Sequence, residues 1–167
     1  MRLIDYLDKG AQLGAEQPCL TMDDATLSYA EVQRISYRVG RALHASGIAP
    51  GHKVAVLSSN DATAFACVFG ISRAAAVWCP INPRNEVSEN RQVLDAFDCE
   101  CLIFHSNYAP MVEQMRAQLP QMKLWICLDR EQPFAPSLDQ WLAGVSDEPL
   151  SVEPIDVHSS EVVKSRP

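Results

Sequence analysis

The sequence has few glycines and no excess of basic residues, and each shortage excludes a class of function. Only 7 of its 167 residues are glycine, none of them after Gly144. No strand signal is followed by a glycine-rich turn with the spacing of a Rossmann or Walker nucleotide-binding motif. Its 14 lysines and arginines against 21 aspartates and glutamates give a net charge of −7, which argues against a nucleic-acid partner.

Long apolar runs and export signals are also missing. No stretch approaches the roughly 18 consecutive apolar residues of a membrane-spanning helix. The start of the chain is interrupted by Asp5 and Asp8, which leaves no apolar region of a signal peptide. The sequence therefore predicts a cytoplasmic protein without a membrane span.

Six cysteines are present without the spacing of a metal site. They are Cys19, Cys67, Cys79, Cys99, Cys101 and Cys127. None forms a Cys-x-x-Cys pair, and most of them lie in apolar runs, where a thiol behaves as a small hydrophobic side chain. Cys99 and Cys101 stand two residues apart in a predicted strand, so we expect both to point to the same face of the sheet. The pattern favours reduced, buried thiols over a disulfide or a metal site.

The sequence does contain a regular alternation of strand and helix signals. Short apolar runs predict strands at 54–57, 76–79, 101–104 and 123–128, and helical spacing predicts helices at 3–13, 29–46, 61–73, 85–97, 108–119 and 137–142. Ser28 and Glu31 form a capping box before the second helix, and Gly47 suits its end. Strands that alternate with helices predict a parallel sheet with helices on its faces.

The predicted fold class is α/β, a three-layer domain with a mostly parallel sheet flanked by helices. A small antiparallel N-terminal β-hairpin is expected around Asp23-Asp24. Residues 1–150 are expected to form the domain. Residues 151–167 are polar and interrupted by proline, and we predict a flexible tail there.

Two polar groups are candidate sites on residue type alone. Ser58, Ser59 and Asn60 follow a predicted strand at a helix start, where backbone N–H groups bind anions. The interpretation that we favour is that Asn60 or Asp61 only caps the helix. The four histidines are expected to be structural or solvated, because no nucleophile stands near them at a typical spacing: His44, His52, His105 and His158.

Five aromatic residues are candidates for an acyl-chain pocket: Phe65, Phe69, Trp78, Trp125 and Trp141. Aromatic side chains on predicted strands and helices more often fill the core than line a pocket. We therefore predict that these five pack in the interior.

The most specific pattern extends from Leu27 to Arg84. It consists of Leu27-Ser28-Tyr29-Ala30-Glu31, of Gly47-Ile48-Ala49-Pro50-Gly51-His52-Lys53-Val54-Ala55, and of Arg73-Ala74-Ala75-Ala76-Val77-Trp78-Cys79-Pro80-Ile81-Asn82-Pro83-Arg84. This order resembles the start of the adenylate-forming, or AMP-binding, superfamily, in particular its acyl-coenzyme A synthetases. Weaker similarity continues to Ile126 and around 154–157.

Four positions depart from the family pattern. They are Ser28 for Thr, His52 for Asp, Arg73 for Lys and Ala75 for Gly. The last predicts slightly different packing beneath the strand that contains Val77, and not a different fold.

The resemblance implies part of the large N-terminal domain of a ligase. Such an enzyme uses ATP and Mg²⁺ to convert a carboxylic acid to an acyl-adenylate, and then forms a thioester with coenzyme A. The family's phosphate-binding loop, which ends in Gly-x-Pro-Lys, is expected shortly after 154–157 and is not found in 158–167. We therefore expect the chain alone to bind none of these cofactors and to be inactive, and no catalytic residue is assigned.

Arg84 is the one candidate binding residue. It follows Asn82-Pro83 beyond the carboxyl end of a predicted strand, where open α/β sheets bind ligands. The resemblance implies that Arg84 contacts a phosphate of coenzyme A, for which its planar guanidinium is suited. The alternative is a solvated arginine, or one paired with Glu86 or Glu89.

Three hypotheses remain open for the whole chain. It is the inactive N-terminal fragment of an ATP-dependent acyl-coenzyme A synthetase, a naturally short non-catalytic interaction module derived from that family, or a small enzyme of unrelated chemistry, which the missing motifs disfavour. An incomplete sheet would expose a strand edge or apolar surface, which favours a dimer. The sequence does not indicate which acid an intact relative would activate.

Overall fold

The four predicted strands form one sheet in this computed structural model, which describes residues 1–23 and 25–154. The elements are α1 (Leu3–Gly14), β1 (Pro18–Met22), β2 (Ala25–Ser28), α2 (Tyr29–Ala45), β3 (Lys53–Leu57), α3 (Ala62–Arg73), β4 (Val77–Ile81), α4 (Val87–Ala96), β5 (Cys99–Phe104), α5 (Ala109–Arg116), β6 (Leu124–Cys127) and α6 (Leu138–Leu142). A 3₁₀ turn, Ser106–Tyr108, precedes α5. Every predicted helix and strand is present, with boundaries shifted by a few residues.

The sheet is parallel and has the strand order β4-β3-β5-β6. Each connection between its strands contains a helix, because parallel neighbours require a crossover and cannot be joined by a tight turn. β1 and β2 form a separate antiparallel hairpin. The predicted fold class, including the N-terminal hairpin, is confirmed.

Helices cover both faces of the sheet and complete three layers. α2, α3 and α6 pack on one face, and α4 and α5 pack on the other. β3 lies in the middle and is buried on both faces, which explains its continuous apolar run. The first core includes Val39, Leu43, Val54, Val56, Cys67, Val68, Ile71, Cys101 and Ile103. The second includes Ala55, Leu57, Cys79, Leu94, Cys99, Leu102, Phe104, Val112 and Met115.

The start and end of α2 follow local sequence signals. The Glu31 backbone N–H donates to Ser28 Oγ at 3.2 Å, and the Ser28 N–H donates to Glu31 Oε2 at 2.8 Å. These two bonds form the predicted capping box. After the helix, Gly47 takes a φ of +85°, a left-handed conformation that glycine adopts without a Cβ clash.

The prediction that Cys99 and Cys101 share a face is wrong. Lys53 of β3 pairs with Cys99 and the next residue, Val54, pairs with Cys101, so Glu100 is the extra residue of a β-bulge. The bulge reverses the alternation of side chains at this point. Cys99 therefore lies in the core beneath α4 and α5, and Cys101 lies in the core beneath α2 and α3.

A buried ion pair fastens α1 to α3. Arg73, which is 3% exposed, donates to both carboxylate oxygens of Asp8 at 2.6 and 2.7 Å. It also donates to Ser36 Oγ at 3.2 and 3.3 Å and lies 4.4 Å above the ring of Tyr37. Burial raises the pKa of Asp8, but the hydrogen bonds from Arg73 and Gln33 and the charge of Arg73 outweigh it, so this pKa lies below its ordinary value.

Ala75 has a φ of +56°, in the left-handed region, which explains why the family pattern has glycine there. The conformation brings the Cβ of an L-residue close to the carbonyl oxygen that follows it, at a cost of about 1–2 kcal/mol. We expect Ala75→Gly to raise the free energy of unfolding by about 1 kcal/mol in urea denaturation. Ala11→Gly, in the interior of α1, should lower it by about 0.5–1 kcal/mol. Equal losses in both variants would contradict a strained Ala75.

The last described residues, 151–154, have no regular secondary structure. The rest of the predicted polar tail, 155–167, lies outside the described residues, and the boundary at residue 150 stays a prediction. Within the described chain, every helix is too short or too polar to cross a lipid bilayer.

Candidate functional site at the carboxyl edge of the sheet

The carboxyl ends of the four parallel strands meet along one edge of the sheet. The loops at this edge are 58–61 after β3, 82–86 after β4, 105–108 after β5 and 128–130 after β6. These loops carry polar residues, whereas the strands that precede them are mostly apolar. Open α/β sheets bind their ligands outside this edge, which makes these loops the candidate site.

The loop that carries Arg84 is held from below by a buried asparagine. Asn90 of α4 is fully buried, and its amide donates to the Asn82 backbone oxygen at 2.9 Å. The Asn85 amide donates to Asn90 Oδ1 at 3.2 Å. Asn82 Oδ1 in turn accepts the Arg84 backbone N–H at 3.0 Å, which forms an Asx turn. The backbone of Arg84 is thus fixed although its side chain is exposed.

The sequence interpretation missed Asn90. Its signal was a polar residue on the buried stripe of α4, between Val87 and Leu94 at helical spacing. A buried amide requires hydrogen-bond partners, and the backbone of a neighbouring loop is the common source. The partner itself could not be read from the sequence.

The guanidinium of Arg84 is exposed and is not part of an ion pair with any residue that the structure describes. The alternative pairing with Glu86 or Glu89 is not observed. Glu89 instead accepts the Glu86 backbone N–H at 2.9 Å, which caps α4. Arg84 is therefore free to meet a ligand, and its role in coenzyme A binding stays a prediction.

The loop after β3 provides the N-terminal cap of α3. Asp61 Oδ1 accepts the Ala64 N–H at 2.7 Å, so the start of α3 is capped by Asp61 and not by Asn60. The carboxylate stands where an anion would have to bind, and like charges repel. The structure thus confirms that this loop caps α3, which was preferred to anion binding by Ser58, Ser59 and Asn60.

A cavity of about 500 Å³ opens between the hairpin, α3 and β4. Its apolar wall includes Phe65 and Trp78, which are 41% and 40% exposed, so the prediction that both pack in the interior is wrong. Phe65 contacts Trp78 edge to face, with ring centroids 6.4 Å apart, and contacts Phe69 in the same way at 5.5 Å. Trp125 and Trp141 are partly buried against the two cores, and Phe69 is buried.

The ends of β5 and β6 are joined by Asp129. Its Oδ1 accepts the Ser106 N–H at 2.9 Å and its Oδ2 accepts the Ser106 hydroxyl at 2.6 Å. Burial raises the pKa of Asp129, but the bonds from Ser106 and Arg130 and the charge of His105 hold it well below its ordinary value. Because the serine hydroxyl donates to the carboxylate and not to a histidine, this cluster lacks the arrangement of a nucleophilic triad.

The described histidines have structural surroundings. His44 Nε2 lies 3.0 Å from the Ala74 oxygen, and His52 Nδ1 contacts the Glu100 carboxylate, which also pairs with Lys123 at 2.9 Å. His105 Nδ1 accepts the Asn107 N–H at 3.2 Å. His158 lies outside the described residues.

The described residues form a three-layer α/β domain with a polar carboxyl edge. The family of AMP-binding enzymes matches residues 7–163, and the chain belongs to this family. The sequence resemblance to adenylate-forming enzymes is thereby confirmed.

Several of the matched relatives are named as ligases. A fatty acid–[acyl-carrier-protein] ligase, ScoC of Streptomyces coeruleorubidus, is 31% identical over 111 residues, which cover 66% of this chain and 21% of that protein. A long-chain-fatty-acid–CoA ligase of Thermus thermophilus is 27% identical over 137 residues, which cover 80% of this chain and 25% of that protein. The chain thus spans about a fifth to a quarter of these relatives.

Solved structures show the same fold. An anthranilate CoA ligase, AuaEII, in complex with anthranoyl-AMP superposes with a TM-score of 0.85 at 21% identity, over 92% of this chain and 29% of that chain. The inhibitor-bound N-terminal domain of FACL13 from Mycobacterium tuberculosis superposes with a TM-score of 0.80 at 26% identity, over 92% of this chain and 38% of that chain. The expected correspondence to part of an N-terminal ligase domain is confirmed.

Proposed function

We propose that this chain supplies the first part of the large domain of an ATP-dependent ligase, which activates a carboxylic acid as its adenylate and transfers the acyl group to coenzyme A. Membership of the AMP-binding family supports the adenylation step. The observation that carries the coenzyme A step is the Asn82–Arg84 turn, which presents a free guanidinium at the carboxyl edge of the sheet.

Arg84 is suited to a phosphate for two physical reasons. Its guanidinium offers several N–H donors in a fixed plane, which match the oxygens of a phosphate group. Its backbone is held by Asn82, and Asn82 is held by the buried Asn90, so less conformational freedom is lost on binding. Arg84 would then bind coenzyme A, the acceptor of the acyl group, and take no part in adenylate formation.

In a ligase that contains this chain, Arg84→Ala is expected to weaken coenzyme A binding by about 1–3 kcal/mol, the scale of a charge-assisted hydrogen bond to phosphate. The KM for coenzyme A in thioester formation should rise accordingly. Acid-dependent ATP–pyrophosphate exchange, which needs no acceptor, should stay near its original rate. Arg84→Lys should recover only part of the loss, because lysine restores the charge without the planar fork.

Arg116→Ala is the matched control, because Arg116 is exposed but paired with Glu113 at 3.0 Å. The assays should be run with coenzyme A and with a phosphopantetheinylated carrier protein, since one relative is named as a carrier-protein ligase. Unchanged thioester formation in Arg84→Ala, or an equal loss of adenylation, would assign Arg84 to structure.

An interaction module is the second candidate function, and the open edge of the described sheet favours it. β4 pairs only with β3 among the described strands, and its first two residues, Val77 and Trp78, are 46% and 40% exposed. Pro80 lies in this strand, as expected for an edge, since proline has no N–H to donate. Light scattering of residues 1–167 tests the dimer that this edge would allow, and a monomer at high concentration would contradict it.

Three expectations stay predictions. Residues 1–167 alone should give only background pyrophosphate release with ATP and a panel of acids. The chain alone should bind none of ATP, Mg²⁺ and coenzyme A in a stable complex. Its location should be the cytoplasm.

A further inference from the structure

No residue of the Asn82–Arg84 turn lines the cavity beside β4, and the proposed coenzyme A contact of Arg84 does not use it. It has a floor on β4, one wall on α3 and an opposite wall on the hairpin. Its volume of about 500 Å³ lies in the range of small-molecule sites, about 300–1,000 Å³. The residues that line it include Leu20, Met22, Val56, Phe65, Val68, Trp78, Pro80 and Ile81.

The apolar wall favours an aromatic ligand. Phe65 and Trp78 are edge to face with each other and present part of their rings to the cavity. Each ring is about 40% exposed (41% and 40%), so both leave water when a ligand binds. Aromatic rings prefer further edge-to-face or offset contacts, which adds to the gain from buried area.

One polar group at the end of β3 lacks a partner. Ser58 Oγ is shielded from solvent, and it has no hydrogen bond with any described residue. Ser58 also lines the cavity. A shielded hydroxyl without a partner is unfavourable, and rotation of the Ser58 side chain toward the cavity would let a ligand with a hydrogen-bonding group satisfy it.

The charge at the mouth excludes anions. Asp61 lines the cavity, and Asp23 lines an adjoining hollow that shares Met22, Asn60 and Asp61 with it. Neither the cavity nor the adjoining hollow has lysine, arginine or histidine among its described lining residues. A carboxylate ligand would be placed near two negative charges without a compensating cation, which disfavours the acid substrate of a ligase here.

We infer that this cavity binds an uncharged aromatic molecule with a hydrogen-bonding group, packed against the Phe65–Trp78 pair with its polar end toward Ser58. The concave shape distinguishes this site from the flat strand edge that a second copy would use. The inference does not depend on the ligase function.

Two fluorescent probes that differ by one charge test the inference on residues 1–167. N-phenyl-1-naphthylamine is neutral and carries an N–H group, and 1-anilinonaphthalene-8-sulfonate adds a sulfonate to nearly the same framework. We expect saturable binding of the neutral probe to one site per chain, with at least about tenfold weaker binding of the anionic probe. Asp61→Asn keeps the helix cap and should strengthen binding of the anionic probe alone.

Variants of the walls locate the site. Phe65→Ala and Trp78→Ala should each weaken the neutral probe about tenfold, and Ser58→Ala about threefold. Phe97→Ala is the control, because Phe97 is 55% exposed but lies outside the cavity. Circular dichroism verifies that each variant is folded.

Three results would overturn the inference. The first is equal affinity of the two probes, which indicates unspecific hydrophobic binding. The second is binding that survives both Phe65→Ala and Trp78→Ala. The third is a dimer, seen by light scattering, that excludes the probe and dissociates in Trp78→Ala, since the surface would then belong to a second copy.

Discussion

Replacing Arg73 by alanine is expected to lower the free energy of unfolding by about 3 kcal/mol, one of the two largest losses among the substitutions considered. The change removes a fork of two bonds to Asp8, at 2.6 and 2.7 Å, and leaves the carboxylate without its cation. Breaking a buried ion pair in this way costs about 3–5 kcal/mol. The lower end of this range applies because the Asp8 side chain is 31% exposed, so water can solvate the carboxylate after Arg73 is removed. Urea denaturation of residues 1–167 measures the difference.

The pH dependence identifies the ion pair as the cause. The pKa of Asp8 in the folded chain lies below its ordinary value, so its stabilisation is present above about pH 4 and is lost as the pH falls through the folded value. The difference between the original chain and Arg73→Ala should therefore shrink below about pH 4. A difference that stays constant with pH would point to lost packing of the arginine stem instead.

Two variants serve as controls for this result. Arg73→Lys keeps the charge but not the fork, and it should recover part of the stability. Arg116→Ala removes an exposed arginine that pairs with Glu113 and lies 5.0 Å from the Phe134 ring centroid, and it should change stability by no more than about 1 kcal/mol.

Gly70→Ala is expected to destabilise the fold by about 3 kcal/mol. A Cβ at Gly70 would lie 2.4 Å from both Cβ and Cγ1 of Val39, where α3 crosses α2. The Val39 Cβ is fixed to its helix backbone, so the two helices would have to move apart. Overpacking of a core costs about 1–3 kcal/mol, and this overlap is at the severe end. Thermal or urea denaturation reports the loss.

Gly14→Ala is the matched control for Gly70→Ala. Its new Cβ would meet Gln17 Cγ at 2.7 Å, but that atom belongs to a flexible side chain that rotates away. We expect a change of less than about 1 kcal/mol, since alanine also favours helix. If Gly70→Ala proved as mild as Gly14→Ala, the close contact of α2 with α3 would be refuted.

Local signals in the sequence were sufficient for the secondary structure and the class of fold. The capping box of Ser28 and Glu31, the left-handed Gly47 and the apolar run of β3 each depend on residues within a few positions of one another. Alternating helices and strands then left a parallel sheet as the consistent arrangement, because parallel strands need crossovers. The family also followed from such short motifs, which the family match over 7–163 confirms.

Contacts between distant parts of the chain were decided by the tertiary structure alone. The partner of Arg73 lies 65 residues away, and the amide of Asn90 reaches a loop eight residues earlier only because α4 folds beneath it. The bulge at Glu100 placed Cys99 and Cys101 on opposite faces, which a period of two residues could not predict.

The sequence by itself therefore determined the elements, the parallel arrangement of the strands and the family of this protein, because those depend on periodicity, caps and motifs along the chain. Only the tertiary structure decided that Arg84 is unpaired on a fixed turn, and that Phe65 and Trp78 line a cavity instead of filling a core. An aromatic residue has the same helical or strand spacing in both settings. Whether it is covered depends on which other elements pack over it, and that is a property of the assembled layers.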